Sequence, residues 1–95
     1  MDDMLDQLEA IIRDRRRNPA PGSYTSRLFQ EGREKIAQKV GEEAVEVLIS
    51  ALRQSRDDQL DELADLFYHT LVLMVDLDVS LDDVKQRLRE RHQAH

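Results

Sequence analysis

Apolar positions recur along the chain with the spacing of buried helix faces. A first helix is predicted from about Asp2 to Arg17, with an apolar face at i, i+1, i+4, i+7 and i+8, namely Met4, Leu5, Leu8, Ile11 and Ile12. Residues 18–22 contain two prolines and a glycine and therefore end this helix. Within residues 23–29 a short helical turn is predicted, with a hydroxyl residue as its cap and Gly32 closing it.

Two long helices are predicted next. One runs from about Arg33 to Gln54, and the other begins after Ser55 and continues to about Leu77. The spacing of Ser55 to Asp58 resembles a capping box. Both helices are apolar around more than half of their circumference, which predicts neighbours on more than one side.

A last helix is predicted after a turn at residues 78–80. Ser80 and Asp83 repeat the capping pattern, and the helix ends near Arg91. Three glycines, two prolines and few aromatic residues leave little material for β-turns or sheet packing. The fold class is therefore predicted to be all-α.

The length of 95 residues predicts a single domain over residues 1–95. A domain this small buries only roughly 60 to 65% of its unfolded surface, and it has no cysteine for a disulfide or thiolate metal site. Oligomerisation is the remaining ordinary source of stability. Because no apolar run approaches a membrane span and the N-terminus is acidic rather than a basic, apolar leader, a cytoplasmic protein without membrane contact is expected.

The net charge of −6 argues against nucleic acid as a partner, because phosphate backbones are held by clustered Lys and Arg. The charges are nevertheless unevenly distributed. Most basic residues lie in the first half, namely Arg13, Arg15, Arg16, Arg17, Arg27, Arg33, Lys35 and Lys39, whereas the interior of the second half is mainly acidic. This uneven charge distribution suits an anionic ligand that is joined to the acidic residues through a bound metal ion.

The predicted helix that begins after Ser55 and continues to about Leu77 carries the most informative pattern. At about 100° per residue, five of its polar residues form a narrow stripe within an arc of roughly 60°: Asp58, Glu62, Asp65, His69 and Asp76. Carboxylates embedded in such an apolar helix cost several kcal/mol each unless they are paired or bind metal. Antiparallel packing across the Ser55 turn is expected to bring two further carboxylates of the preceding helix close to them, those of Glu43 and Glu46.

An oxygen-only set of ligands suits Mg²⁺, with Mn²⁺ as the alternative, rather than Zn²⁺. A ferritin-like di-iron site would need Glu-x-x-His pairs, and the sequence contains none, since His69 follows Asp65 by four residues.

Structural alternatives stand beside each of these interpretations. Glu42, Glu43 and Glu46 suit a solvated helix face as well, and Glu62 and Asp65 suit salt bridges to arginines. His69 is more often a core residue with satisfied hydrogen bonds than a ligand. Arg15, Arg16 and Arg17 match a helix C-terminus as well as they match a phosphate, and Tyr24 serves equally as a loop anchor.

Several segments together closely resemble the phosphoribosyl-ATP pyrophosphohydrolase family: Asn18-Pro19, Gly22–Phe29 (GSYTSRLF), Glu31-Gly32, Ile36–Glu46 (IAQKVGEEAVE) and Glu62–His69 (ELADLFYH). The resemblance runs from about Leu8 to His92. The E-E-x-x-E and E-x-x-D elements indicate only the wider MazG-type nucleotide pyrophosphohydrolase superfamily. The segments Gly22–Phe29 (GSYTSRLF) and Lys39–Glu46 (KVGEEAVE) narrow the resemblance to this family. Phe67 and Thr70 depart from the pattern, in which Leu is common, as packing substitutions.

The resemblance implies an all-α bundle completed by a homodimer or a dimer of dimers. It implies Mg²⁺-dependent hydrolysis of phosphoribosyl-ATP to phosphoribosyl-AMP and pyrophosphate, the second step of histidine biosynthesis. The implied metal ligands are Glu43, Glu46, Glu62 and Asp65, with Glu42 as a further ligand or a water-orienting base.

The cationic groups expected to meet the substrate are Lys35 and Lys39, followed by Arg27, and Tyr24 and Thr25 are expected to grip its ribose phosphate or to close over the site. Two rival functions stay open: a house-cleaning dNTP or NTP pyrophosphohydrolase of the same fold, and a non-catalytic helical interaction module. The number of metal ions, the phosphorus attacked, the general base, dimer versus tetramer and any sharing of the site between subunits also stay open.

Overall fold

The computed structural model describes residues 3–93, which contain no strand. They form five helices: α1 Met4–Arg17, α2 Tyr24–Glu31, α3 Arg33–Arg53, α4 Arg56–Asp76 and α5 Leu81–His92. The all-α prediction is confirmed, and each predicted long helix is present to within about two residues. The predicted start at Asp2 lies outside the described residues, and the observed helix begins at Met4.

The helix ends follow from local hydrogen bonds. Asp3 forms a reciprocal capping box with Asp6 at the start of α1, and the Ser23 side chain accepts a bond from the Ser26 amide at the start of α2. Gly32 separates α2 from α3 with φ of 99°, a left-handed value that favours glycine. The Ser55 hydroxyl caps α4, but the Asp58 carboxylate accepts from that hydroxyl rather than from the backbone, so the predicted box is incomplete.

The antiparallel pair α3 and α4 is the most extensive helix contact of the described chain. A two-residue connection, residues 54–55, joins them, and Gln59 strengthens this turn by donating from its side-chain amide to the carbonyls of Ser50 and Gln54. The short connection forces residues near the middle of α3 to lie opposite the first half of α4. This arrangement positions the acidic residues of the two helices.

The core lies where α1, α2 and α3 meet the second half of α4. Six apolar side chains are buried there: Ile12, Leu28, Ile36, Leu71, Val72 and Val75. The end of α1 is fastened to this region by Arg16, which donates to the carbonyl oxygen of Val75 at 2.6 Å and to the carboxylate of Asp78 at 2.8 Å. Arg15, Arg16 and Arg17 all lie in the last turn of α1, as the helix-dipole alternative expected.

The prediction that α3 and α4 are covered on several sides is wrong within the single chain. On α3, an apolar stripe is exposed at i, i+3, i+4 and i+7: Val45, Leu48, Ile49 and Leu52. On α4, a second stripe is exposed: Leu60, Leu63 and Phe67. Within residues 3–93, α1 and α2 both pack on the core side of the pair, so these stripes on its other side lack cover.

The radius of gyration, 14.7 Å, agrees with incomplete compaction. A compact chain of this length has a radius of about 12 Å. Over residues 3–93, none of the helices combines the length and the apolar character that crossing a membrane requires.

The cap of α5 provides a stability test. Ser80→Ala removes the hydroxyl that accepts from the Asp83 amide, while the Ser80 amide keeps its bond to the Asp83 carboxylate. Loss of such a cap costs about 1 kcal/mol, so thermal unfolding is expected to shift down by about 4–8 °C for a domain of this size. An unchanged melting temperature would show that α5 unfolds separately from the rest.

Candidate active site

Three carboxylates meet between α3 and α4, and we call them the carboxylate cluster: Glu43, Glu62 and Asp65. One carboxylate oxygen of each residue lies within 4.8 Å of one carboxylate oxygen of each of the other two. Glu62 and Asp65 are three residues apart and therefore share one side of α4. The antiparallel packing of α3 against α4 places Glu43 opposite them. Glu43 and Glu62 are partly buried. The helix pattern predicted that Asp65 is embedded as well, and this prediction is wrong within the described chain, because Asp65 is exposed.

The cluster is electrostatically unfavourable without a cation. Partial burial raises the pKa of Glu62, and the negative charges of Glu46, Asp65 and Glu43 raise it further. Among residues 3–93, no Lys or Arg forms an ion pair with Glu62 or Asp65. The salt-bridge alternative for these two residues is therefore not found within the described chain.

The donor set of the cluster suits a hard divalent cation. All three donors are carboxylate oxygens, which Mg²⁺ and Mn²⁺ prefer. One oxygen of each residue lies within 4.8 Å of the others, so these three residues would hold such a cation between α3 and α4.

Glu46 and Glu42 lie beside the cluster rather than in it. Glu46 is close enough to Glu62 for its charge to raise the Glu62 pKa. Glu42 accepts a hydrogen bond from the Gln38 side chain at 3.1 Å and pairs with Lys39 at 3.5 Å. That hydrogen bond is the largest influence on Glu42, and its pKa lies below the usual value. A carboxylate held ionised at the edge of the cluster can orient a water molecule.

The remaining acids of the predicted stripe have structural partners. Asp58 belongs to the cap of α4. Asp76 lies at the far end of α4, where it pairs with Arg33 at 2.7 Å. The acids of the predicted stripe therefore separate into three groups, and only Glu62 and Asp65 enter the cluster.

Lys39 is the cation nearest to the cluster, with its ammonium 3.7 Å from Glu43 and 3.5 Å from Glu42. Partial burial lowers its pKa, but Tyr24 and these two glutamates outweigh that influence, so the pKa lies above its usual value. Lys39 is therefore fully protonated at neutral pH. Lys35, one turn earlier, is partly buried, and its charge helps to lower the Glu42 pKa.

The first turn of α2 lies against α4 beside these groups. The Tyr24 hydroxyl is 2.9 Å from Nε2 of His69, and Thr25 is hydrogen-bonded to the Tyr68 hydroxyl. The Arg27 guanidinium lies over the Tyr24 ring at 5.4 Å from its centroid, a cation–π distance. The structure thus brings Tyr24, Thr25 and Arg27 together in the first turn of α2, with Tyr24 close enough to influence Lys39.

Tyr68 and His69 connect α2 to α4, a role that the sequence pattern did not predict for either residue. His69 is 5% exposed and has partners at both ring nitrogens, which agrees with a satisfied core residue. Its partner Tyr24 is 45 positions earlier in the chain. Periodicity within one helix contains no signal for a contact at that separation.

The raised pKa of Glu62 gives a test by pH. Because folding raises this pKa, the folded protein holds the Glu62 proton more tightly than the unfolded chain does. The associated stabilisation is present below the unfolded pKa and is lost as pH rises through the folded pKa. With metal removed by a chelator, Glu62→Gln is therefore expected to melt at a higher temperature than the unsubstituted protein at about pH 7. The difference in melting temperature is expected to be smaller at about pH 4. A difference that does not grow with pH would contradict this.

Residues 5–92 match the family model of phosphoribosyl-ATP pyrophosphohydrolase. The chain belongs to this family. Among named relatives, the phosphoribosyl-ATP pyrophosphatase of Metallosphaera sedula is 46% identical over 91 residues, covering 96% of this chain and 98% of the relative. That of Clostridium botulinum is 43% identical over 90 residues, covering 95% of this chain and 82% of the relative. The resemblance drawn from the sequence is thereby confirmed.

Other members of the phosphoribosyl-ATP pyrophosphohydrolase family are longer. The histidine biosynthesis bifunctional protein HisIE of Pyrococcus furiosus is 51% identical over 88 residues, which is 93% of this chain. The chain spans only 41% of that relative's length, and the same share of the bifunctional protein of Oceanobacillus iheyensis. Similarity to the bifunctional proteins therefore concerns one part of them.

Proposed function

We propose that this chain hydrolyses phosphoribosyl-ATP to phosphoribosyl-AMP and pyrophosphate, the second step of histidine biosynthesis, with Mg²⁺ as its cofactor and Mn²⁺ as a substitute. Membership of the family supports the reaction. The carboxylate cluster, with no ion-pair partner for Glu62 or Asp65 in residues 3–93, is the observation that carries the metal dependence.

Glu43, Glu62 and Asp65 would hold the cation, and Glu46 would join them by a rotation of its side chain. When bound there, a divalent cation neutralises phosphate charge and acidifies a bound water molecule. An acidic protein can in this way accept a polyphosphate that its own carboxylates would otherwise repel.

The other site residues would bind and orient the substrate. Lys39 and Lys35 place positive charge on the α3 side of the cluster, where phosphoryl oxygens gain charge during hydrolysis. Arg27, Tyr24 and Thr25 would hold the ribose phosphate from the α2 side. Glu42, kept ionised by Gln38 and Lys39, would orient the attacking water.

A cavity of about 440 Å³ near Arg13, Arg16 and Arg17 is a less suitable place for the substrate. Arg16 is already bonded to Val75 and Asp78 there, and Arg13 pairs with Glu9. No cluster of carboxylates lines this cavity. We therefore place the reaction at the carboxylate cluster.

The apolar stripes on α3 and α4 support a homodimer. Leu48 is 64% exposed and Leu52 is 83% exposed, and both lie in a continuous stripe beside a second stripe on the adjacent helix. Contiguous exposed apolar surface on a small protein marks an interaction site. A second copy of the chain would supply the cover that the helix pattern requires, as one dimer or as a pair of dimers.

Pyrophosphate release by the purified protein tests the function. Phosphoribosyl-ATP would be offered beside ATP, dCTP and dUTP, each with Mg²⁺, with Mn²⁺ and with a chelator. Metal-dependent turnover of phosphoribosyl-ATP alone is expected. Turnover of a dNTP instead would show a house-cleaning enzyme of the same fold, and no turnover of any nucleotide would support a non-catalytic interaction module.

A further inference from the structure

His69 lies at the centre of a hydrogen-bonded chain that crosses from α2 to α4. Its Nδ1 is 2.7 Å from the carbonyl oxygen of Asp65, and its Nε2 is 2.9 Å from the hydroxyl of Tyr24. A carbonyl oxygen can only accept, so Nδ1 carries the proton and donates it to Asp65. In the neutral ring Nε2 is then an acceptor, and the Tyr24 hydroxyl donates to it.

Burial stabilises this chain of hydrogen bonds. His69 is 5% exposed, so water competes little for its ring nitrogens. The Tyr68 ring packs edge-on against it, with centroids 4.9 Å apart, and restricts its rotation. Within residues 3–93, only two side-chain hydrogen bonds join α2 to α4, this one and the Thr25–Tyr68 bond.

The two residues at the ends of this chain of hydrogen bonds, Asp65 and Tyr24, belong to different parts of the candidate site. Asp65 contributes a carboxylate to the cluster, and Tyr24 lies in the segment expected to contact the ribose phosphate, next to Lys39. We infer that His69 is a positioning residue that fixes the Tyr24 hydroxyl relative to the α4 backbone at Asp65, so that the substrate-binding turn of α2 is held in register with the carboxylate cluster. This inference rests on the proposed function.

The hypothesis that His69 only fills the core predicts different effects of substitution. If His69 only packs, its replacement lowers stability without a specific effect on Tyr24. If it positions Tyr24, then Tyr24→Phe and His69→Asn remove the same interaction. Asn can keep the donation to Asp65 but is too short to reach Tyr24, whereas Gln reaches the Nε2 position and keeps the bond to Tyr24.

Hydrogen exchange of the metal-free, substrate-free protein is the first readout. Tyr24→Phe, His69→Asn and the double variant are each expected to speed exchange of amides 26–28 by about fivefold, the effect of one hydrogen bond. His69→Gln is expected to stay near the unsubstituted protein. His92→Asn, on the exposed last residue of α5, is the matched control.

Steady-state kinetics with phosphoribosyl-ATP and Mg²⁺ is the second readout. Each of the two single variants is expected to raise KM by about fivefold with kcat nearly unchanged, and the double variant is expected to raise it no further. Multiplying effects in the double variant, or exchange of amides 26–28 unchanged in both single variants, would overturn the inference. Tyr24 is 39% exposed, so Tyr24→Phe is expected to fold even if a His69 variant does not.

The two hypotheses fail separately. If the unsubstituted protein does not hydrolyse phosphoribosyl-ATP, the proposed function is wrong, while the exchange experiment still decides whether His69 positions Tyr24. If the unsubstituted protein is active and the variants behave as independent changes, only the role of His69 is wrong.

Discussion

Glu62→Gln is expected to lower kcat for phosphoribosyl-ATP hydrolysis by at least about a hundredfold. Loss of a group that merely orients a metal ligand costs about 10- to 100-fold, and Glu62 is placed as a ligand itself. Its oxygen lies within 4.8 Å of those of Glu43 and Asp65, and no cation among residues 3–93 neutralises it. The amide keeps the size of the side chain but removes its charge.

Steady-state kinetics over a series of Mg²⁺ concentrations would measure this effect, with binding of Mn²⁺ to the substrate-free protein as a second readout. Asp57→Asn is the matched control, because it removes one negative charge from the first turn of the same helix at an exposed position. The control is expected to retain activity. Full activity of Glu62→Gln would remove this residue from the metal site.

The same substitution links function to stability. Desolvation and four neighbouring carboxylates raise the pKa of Glu62 in the folded protein. Glu62→Gln is therefore expected to be the more stable protein without metal and the less active one with metal. Such a trade-off between stability and activity is common where a site holds like charges close together in order to bind a ligand. The cation would reverse the order by stabilising only the protein that retains the full carboxylate set.

Sequence patterns predicted the helices because each helix carries its own local signals. Ser23 and Ser80 cap their helices, and Gly32 ends α2 with a left-handed backbone, as those residue types favour. The approach of Glu43 to Glu62 was also predictable, because the short connection after α3 forces antiparallel packing.

Contacts that depend on side-chain direction or on distant parts of the chain could not be predicted in this way. A helical arc grouped Asp76 with Glu62, yet Arg33 holds Asp76 at the opposite end of α4. The partner of His69 comes from α2, which the pattern predicted as a short helical turn without indicating which helix it contacts. Apolar periodicity likewise predicted cover for both sides of α3 but not whether the same chain or another supplies it.

Leu48→Glu is expected to dissociate the proposed homodimer. Leu48 lies in the middle of the exposed α3 stripe, between Val45 and Leu52. Burial of a leucine side chain contributes about 1.5–3 kcal/mol, and a two-fold interface uses each residue twice. The dissociation constant is therefore expected to rise by about 10²- to 10⁴-fold, before the cost of burying the new carboxylate is included.

Sedimentation equilibrium over a dilution series would measure this change, together with the concentration dependence of thermal unfolding, which a dimer shows and a monomer does not. Leu88→Glu is the informative control, since Leu88 is also half-exposed but lies on α5, away from the α3 and α4 stripes. Dissociation by Leu48→Glu and not by Leu88→Glu would place the interface on α3 and α4. The opposite result would place it on α5, and a monomeric unsubstituted protein would leave both stripes without a second copy to cover them.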